Sequence, residues 1–249
     1  MEYAAWKAEG LQKQSATHCT APRAAACRTT HLHLLSGTHE VPHGVSQRAM
    51  QPILETERLH LRRLTEGDGA FMVTLLNQAD FVAFVGDRGL RTTADGEAYI
   101  RNGPFKAYAT SGLGPYAVFV KAAAAAEGGG APELEGPIGI TGLYQRDYLP
   151  HPDIGFAFLT PYQGHGYAYE AAACVLAGAS VMPSPPTHVT GIVNQENGRS
   201  VRLLAKLGLT YVRQQEVAPG DVVDVWERPL AVPVPPTTSG SSTAAMTPA

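Results

Sequence analysis

Between residues 161 and 173 the chain reads Pro-Tyr-Gln-Gly-His-Gly-Tyr-Ala-Tyr-Glu-Ala-Ala-Ala, and these are the residues best suited to gripping a ligand. The apolar run before them, Ile154 to Leu159, has the length and composition of a buried strand, and the alanine-rich run Tyr169 to Ala177 favours helix. The predicted order is strand, glycine turn, helix. At such a junction the first helical N–H groups lack carbonyl partners and carry the positive end of the peptide dipole, so they suit an oxyanion such as phosphate. Gly164 and Gly166 permit a tight turn and leave those amides unshielded, and the Gln163 amide can bond an oxyanion or brace the loop. Two familiar phosphate loops are excluded. A Walker loop needs a lysine followed by Ser or Thr, and a dinucleotide fingerprint needs three spaced glycines after the first strand of a βαβ unit. Taken alone, the stretch reads equally well as an ordinary glycine-rich turn.

The elements that must position this loop are legible on both sides of it. A strand opens the domain at Glu57 to Leu64, with Leu59 and Leu61 alternating with His60 and Arg62. Thr65 is the expected cap of a helix carrying Phe71, Leu75 and Leu76 inward. A second helix is expected from Ala94 to Tyr108, capped by Thr93 and interrupted at Gly103-Pro104. The β-prone runs Pro115 to Val120 and Ile138 to Tyr144 should pair as a hairpin around a low-complexity insert, residues 121–136. Tyr148 to Asp153 is a turn into the strand that feeds the loop, and the helix after the loop should end near Met182, before Pro183. A strand at His188 to Val193, a helix at Val201 to Leu207 capped by Gly208, and a hairpin of Leu209 to Arg213 with Val222 to Glu227 complete the series. The order predicts an α/β sandwich around one mixed sheet, with the loop at the carboxyl end of a central strand, where open α/β sheets bind ligands.

The 249 residues suit one domain with tails, here residues 51–230. Residues 1–50 and 231–249 lack sustained periodicity and are expected to be a disordered extension and a disordered tail. A net charge of −3 gives no field for nucleic acid or for a membrane surface, and no apolar run reaches membrane-spanning length. Three cysteines without a CxxC pair argue against a disulfide scaffold and for a reducing, cytoplasmic setting. Arg23, Arg28 and Arg48 faintly suggest a mitochondrial presequence, against which Glu2 and Glu9 stand. His31, His33, His39 and His43 with Cys19 and Cys27 lack metal-finger spacing, so no metal is expected.

Gln163-Gly-His-Gly166-Tyr-Ala168 resembles the Q/R-x-x-G-x-G/A signature of the GNAT superfamily of acyl-CoA-dependent N-acetyltransferases. The opening Glu55-Thr-Glu-Arg-Leu59, and Asn194-x-x-Asn197-x-x-Ser200 before a helix ending Lys206-Leu-Gly-Leu209, are similar to the branch holding the ribosomal-protein N-terminal acetyltransferases. The resemblance covers about residues 52 to 230. It implies a three-layer sandwich with a central mixed β-sheet, in which the strands flanking the loop helix splay apart and admit the pantetheine arm of acetyl-CoA. It implies that Gln163, Gly164, His165, Gly166, Tyr167 and Ala168 hold the diphosphate. Phe156, Ala157, Phe158 and Leu159 would then offer backbone groups to pantetheine, and Asn194 and Asn197 would position the thiol end.

The reaction so implied is direct attack of a primary amine, on a small molecule or a protein N-terminus, on the acetyl thioester. An ammonium must lose a proton and the departing thiolate must gain one. Asp153 is the candidate base, or else a turn residue bonding its own backbone. Many enzymes of the superfamily use a tyrosine as the acid four residues before the glycine of the last helix, where this chain has Leu204, so Ser200, Asn197 or a water is left for that role. Asn197 and Ser200 also fit as helix caps. Phe81, Phe84, Asp87, Arg88 and Arg91 fall on the wall that would face the acceptor. A non-catalytic acyl-CoA-binding domain and an enzyme for a longer acyl donor are the competing readings, and either a monomer or a homodimer is compatible with the chain.

Overall fold

The computed structural model describes residues 28–29, 54–121 and 136–230. The rest of the extension, the tail from 231 and the interior of the insert lie outside the described residues. Nine strands form one sheet in the order β1-β2-β3-β4-β5-β6-β7-β9-β8. In chain order these are β1 (Arg28–Thr29), β2 (Leu54–Glu55), β3 (Leu59–Arg63), β4 (Gly114–Val120), β5 (Gly139–Tyr144), β6 (Asp153–Phe158), β7 (His188–Val193), β8 (Thr210–Ala218) and β9 (Asp221–Pro229). All neighbours are antiparallel except β6 and β7, so the sheet is mixed, as expected. Within the stretch expected to be an extension, Arg28–Thr29 pairs with Leu54–Glu55.

Alternation along the strands divides the core into two layers. Leu59, Leu61, Val118, Ile154 and Phe158 pack with α5 (Tyr167–Ala179) and with Leu204 of α6 (Gly198–Lys206) on one face. Ala117 and Ile140 face the other way, against Met72, Leu75 and Leu76 of α1 (Gly69–Leu76) and Ile100 of α3 (Thr93–Asn102). That is the three-layer arrangement implied by the resemblance. Gly69 and Gly96 let α1 and α3 touch backbone to backbone, since a Cβ on Gly96 would lie 2.1 Å from the Gly69 carbonyl oxygen.

Helix boundaries differ from expectation for local reasons. Thr65 does begin the first helical segment, but as one turn of 3₁₀ helix, Glu66–Asp68, before α1. The second helix starts one residue early because Thr92, not Thr93, makes the reciprocal cap: its hydroxyl accepts from Asp95 N–H at 3.2 Å while the Asp95 carboxylate accepts from Thr92 N–H at 2.7 Å. Gly103 then breaks it, and α4 (Pro104–Thr110) restarts on the proline, as the interruption expected there requires. A short helix went unread: α2 (Ala79–Val85) follows α1 and carries Phe81 and Phe84. Likewise α6 begins at Gly198 rather than Val201, because Asn197 caps it. Cys174 is disulfide-bonded, which the reducing setting expected from the cysteine count did not provide for. No helix among the described residues is long and apolar enough to cross a membrane.

Arg62 and Asp68 tie β3 to the first helical turn. Two hydrogen bonds of 2.7 and 2.8 Å join the guanidinium to the carboxylate, and both side chains are buried. Burial alone would raise the Asp68 carboxyl, but hydrogen bonds from Arg62 and Thr65 hold it below the usual range. Its stabilisation is therefore present above the unfolded carboxyl pKa and is lost as pH falls through the lower folded one. Asp68→Ala strands a buried guanidinium and should cost about 3 to 5 kcal/mol in urea denaturation. A loss below about 1 kcal/mol, the scale of an exposed pair, would show that the pair is solvated.

Candidate active site

The parallel strands β6 and β7 share a single register pair, Asp153 with Thr190, where Thr190 N–H donates to Pro152 at 2.9 Å. Past that point no further pair forms, and a gap opens toward the carboxyl end of β6. Leu159 N–H donates to Ile138, on the β5 side. Alternation along the antiparallel β5–β6 pair turns the amides of Phe156 and Phe158 the other way, into the gap. The four residues expected to offer backbone groups are thus divided: Phe156 and Phe158 turn their N–H groups to the gap, the Phe158 carbonyl being taken by Gln163 and Gln78, whereas Ala157 and Leu159 direct their N–H groups to β5 and their side chains to the α1–α3 layer.

At the end of β6 the chain makes one 3₁₀ turn, Thr160–Tyr162, and enters the glycine loop. Gly164 and Gly166 have φ of +84° and +82°, the left-handed region that a side chain disfavours. Gly166 is the N-cap of α5, and no side chain caps the helix. The first intrahelical bond runs from Glu170 N–H to Gly166 at 3.1 Å, so the amides of Tyr167, Ala168 and Tyr169 precede the helical ladder and point outward. A Cβ on Gly164 would meet nothing within 4 Å, which leaves the loop's outer side open to a bulky anion. Gln163 braces the loop: its Nε2 donates to Phe158 O at 3.0 Å, and its Oε1 accepts from Arg199 Nη1 at 3.0 Å. The His165 ring folds back, with Nδ1 3.0 Å from the Gln163 carbonyl and its plane stacked on Tyr167.

A second brace comes from the entry to β3. Arg58 donates from Nε to Glu170 Oε2 at 2.7 Å and from Nη1 to the His165 carbonyl at 3.1 Å, and it lies 4.7 Å over the Tyr167 ring. The other oxygen of Glu170 accepts from the Arg58 amide at 3.1 Å and from the Thr56 hydroxyl. Glu170, in the first turn of α5, therefore complements the dipole there and fastens the helix start to β3. From the opposite wall, Gln78 donates to Phe158 O at 3.2 Å and accepts from Thr160 N–H at 2.7 Å.

Asp153 lies at the closed end of the gap, only 2 % exposed. Arg146 Nε donates to its Oδ2 at 3.0 Å, and Oδ1 has no hydrogen-bond partner among the described residues. Burial pushes this carboxyl above its ordinary range, and Arg146 offsets part of the rise. Its register partner on β5 is Tyr144, whose ring crosses Gly155; a Cβ there would come within 2.6 Å of the ring. Burial pushes the Tyr144 hydroxyl up as well, and nearby Tyr99, Asp153 and Tyr108 add to the rise. Asp153 and Tyr144 thus belong to one buried polar patch.

On the far side of the gap, Asn194 Oδ1 accepts from Glu196 N–H at 2.9 Å, and Asn197 Oδ1 accepts from Ser200 N–H at 3.1 Å, which caps α6. Leu204 is buried under β7: a Cβ on Gly191 would lie 2.6 Å from its methyl carbon. The position that would carry a tyrosine acid is therefore core, and Ser200 stands one turn before it. Asp87 and Arg91 pair with each other, and Arg91 lowers the Asp87 carboxyl to about 2. Sequence reasoning missed Arg58, Gln78, Tyr144 and Arg199. Only Arg58 had a signal, its place in the Glu55-Thr-Glu-Arg-Leu59 opening.

Residues 58–210 match the family described as the acetyltransferase (GNAT) domain. None of the curated proteins matches the chain by sequence. Among solved structures, a GNAT-family acetyltransferase from Bordetella pertussis is 19% identical, with a TM-score of 0.55 over 70% of this chain and 97% of that one. A ribosomal L7/L12 alpha-N-protein acetyltransferase in complex with coenzyme A is 12% identical, with a TM-score of 0.57 over 70% and 95%. An acetyltransferase from Salmonella typhimurium, described as modifying the N-terminal serine of ribosomal protein L7/L12, is 12% identical, with a TM-score of 0.56 over 70% and 96%. At these identities the structures speak to the fold. The family match spans most of the described residues, and the splayed strands and glycine loop agree with it: the chain belongs to the GNAT acetyltransferase family and is an acyl-CoA-dependent N-acetyltransferase.

Proposed function

We propose that the enzyme transfers the acetyl group of acetyl-CoA to a primary amine, either a protein N-terminus or a small molecule, by direct attack on the thioester. The observation that carries this is the single β6–β7 register pair, which leaves backbone donors of Phe156 and Phe158 facing a gap that leads to the loop amides of residues 164–168. In that gap pantetheine would add as a strand does to a sheet edge, its diphosphate on the loop and its carbonyl polarised by a β6 amide. The amine nitrogen attacks the carbonyl carbon and the C–S bond breaks. The ammonium proton passes to Asp153, which stands three residues, roughly 10 Å along the strand, from Phe156 and so acts through water. Ser200 or a water returns a proton to the thiolate. The reported action of the Salmonella typhimurium neighbour on a protein N-terminus favours that acceptor class.

Thiol release on mixing acetyl-CoA with a panel of N-terminal peptides and small amines, followed by mass detection of the acetylated product, tests the reading. Turnover with at least one amine is expected. Tight binding of acetyl-CoA without release for any acceptor would favour a non-catalytic binding domain, the alternative for which buried Leu204 speaks. The Arg58–Glu170 brace yields a further expectation. Charge-assisted hydrogen bonds contribute about 1.5 to 3 kcal/mol each, and partial exposure of Arg58 reduces this. Glu170→Ala should raise the acetyl-CoA KM roughly tenfold and leave the amine KM and kcat nearly unchanged. An equal rise in both KM values would show a general loss of fold instead.

A further inference from the structure

The loop from Gln163 to Ala168 contains no lysine or arginine, so any multiply charged phosphate ligand held there must find its counter-charge elsewhere in the chain. Two guanidiniums flank it. Arg58 is spent on Glu170 and the His165 carbonyl. Arg199, at the start of α6, is held differently: its Nη1 donates 3.0 Å to the neutral Gln163 Oε1 of the loop and lies 3.4 Å from Asp80 Oδ2 on α2. Both contacts use the same nitrogen. Nε and Nη2 make no bond to the described residues, and the side chain is 73% exposed. An exposed ion pair at that distance is weak. A guanidinium fixed at a loop by a neutral amide, with the other edge of its fork open, is arranged to receive an oxyanion in a bidentate way.

We infer that Arg199 is a binding residue for a phosphate of the acyl-CoA cosubstrate, released from Asp80 as that ligand arrives and aimed by Gln163. The assignment rests on the proposed coenzyme site and adds to it the cation that the loop lacks. The ligand class is a phosphate oxyanion, which in coenzyme A has two sources, the diphosphate and the 3′-phosphate. Asp80 competes with either for the same guanidinium.

Calorimetric titration of coenzyme A and of dephospho-coenzyme A into the full chain tests this, with wild type, Arg199→Ala, Arg199→Lys and Asp80→Asn compared. Arg199→Ala should weaken coenzyme A about 10- to 30-fold, as expected for loss of a charge-assisted contact, and should flatten the salt dependence of binding. Arg199→Lys should recover part of the loss. An equal loss for dephospho-coenzyme A assigns the contact to the diphosphate, and a loss confined to coenzyme A assigns it to the 3′-phosphate. Asp80→Asn should tighten binding about two- to threefold, a gain that a merely structural role for the Arg199–Asp80 pair would not produce. Unchanged affinity in Arg199→Ala, with wild type binding both ligands, overturns the assignment of Arg199 alone. Failure of wild type to bind either ligand overturns the coenzyme site and the assignment with it.

Discussion

Gly166→Glu should abolish acetyl-CoA binding, with affinity lowered more than 100-fold and the fold retained. Gly166 is the left-handed N-cap of α5, φ +82°, so any side chain there carries a backbone strain of about 1 to 2 kcal/mol. The space itself is tolerant, since a Cβ would meet only Arg58 Nη2, at 3.5 Å. The large effect is electrostatic. A carboxylate at this point occupies the position proposed for the diphosphate, takes up the first-turn amides as an N-terminal anion does, and reaches the Arg58 guanidinium. Gly166→Ala separates the two contributions. It carries the backbone strain without the charge, and its affinity should fall much less. A folded Gly166→Glu protein, judged by its thermal transition, with unchanged calorimetric affinity would remove the phosphate-loop assignment.

The second large effect is expected at Asp153. Asp153→Asn keeps the shape and the buried contact to Arg146 but removes the proposed proton acceptor, so kcat should fall about 100- to 10,000-fold while acetyl-CoA affinity stays within a few-fold. The pH profile carries independent information. Because burial raises the Asp153 carboxyl, wild-type kcat/KM should climb with pH through a pKa above the ordinary value of about 4, and that limb should vanish in the variant. The sign for stability runs the opposite way from Asp68. A carboxyl whose folded pKa is raised opposes folding once it ionises, so Asp153→Asn should not destabilise the protein through proton linkage near neutral pH. Full activity in Asp153→Asn would reduce the residue to a structural member of the β6–β7 junction.

Comparison of these two sites shows what local sequence carries. The geometry of the glycine loop was legible because it is local: a strand, two glycines that adopt positive φ and a helix follow one another within about 25 residues. The same holds for the cap at Asn197 and for the hairpin turn at Gly220, φ +79°. Arg58 and Glu170 are 112 positions apart, and Gln78 and Phe158 are 80 apart. Periodicity and capping signals do not reach across such separations; only the sheet order brings the partners together. Helix α2 escaped because seven residues with no cap bond give too short a period to read. The backbone of β6 was named as a group, but which amides face the gap depends on its register with β5, which no single strand contains.

The central claim, that exposed main-chain amides around Gly164 and Gly166 hold the cosubstrate's diphosphate while its arm threads between β6 and β7, is tested most directly by the crystal structure of the enzyme soaked or co-crystallised with acetyl-CoA. The account predicts density for the diphosphate within hydrogen-bond distance of the amides of residues 164–168 and for pantetheine along Phe156 and Phe158. Acetyl-CoA bound elsewhere on the molecule, with the loop and the gap filled only by water, would contradict it.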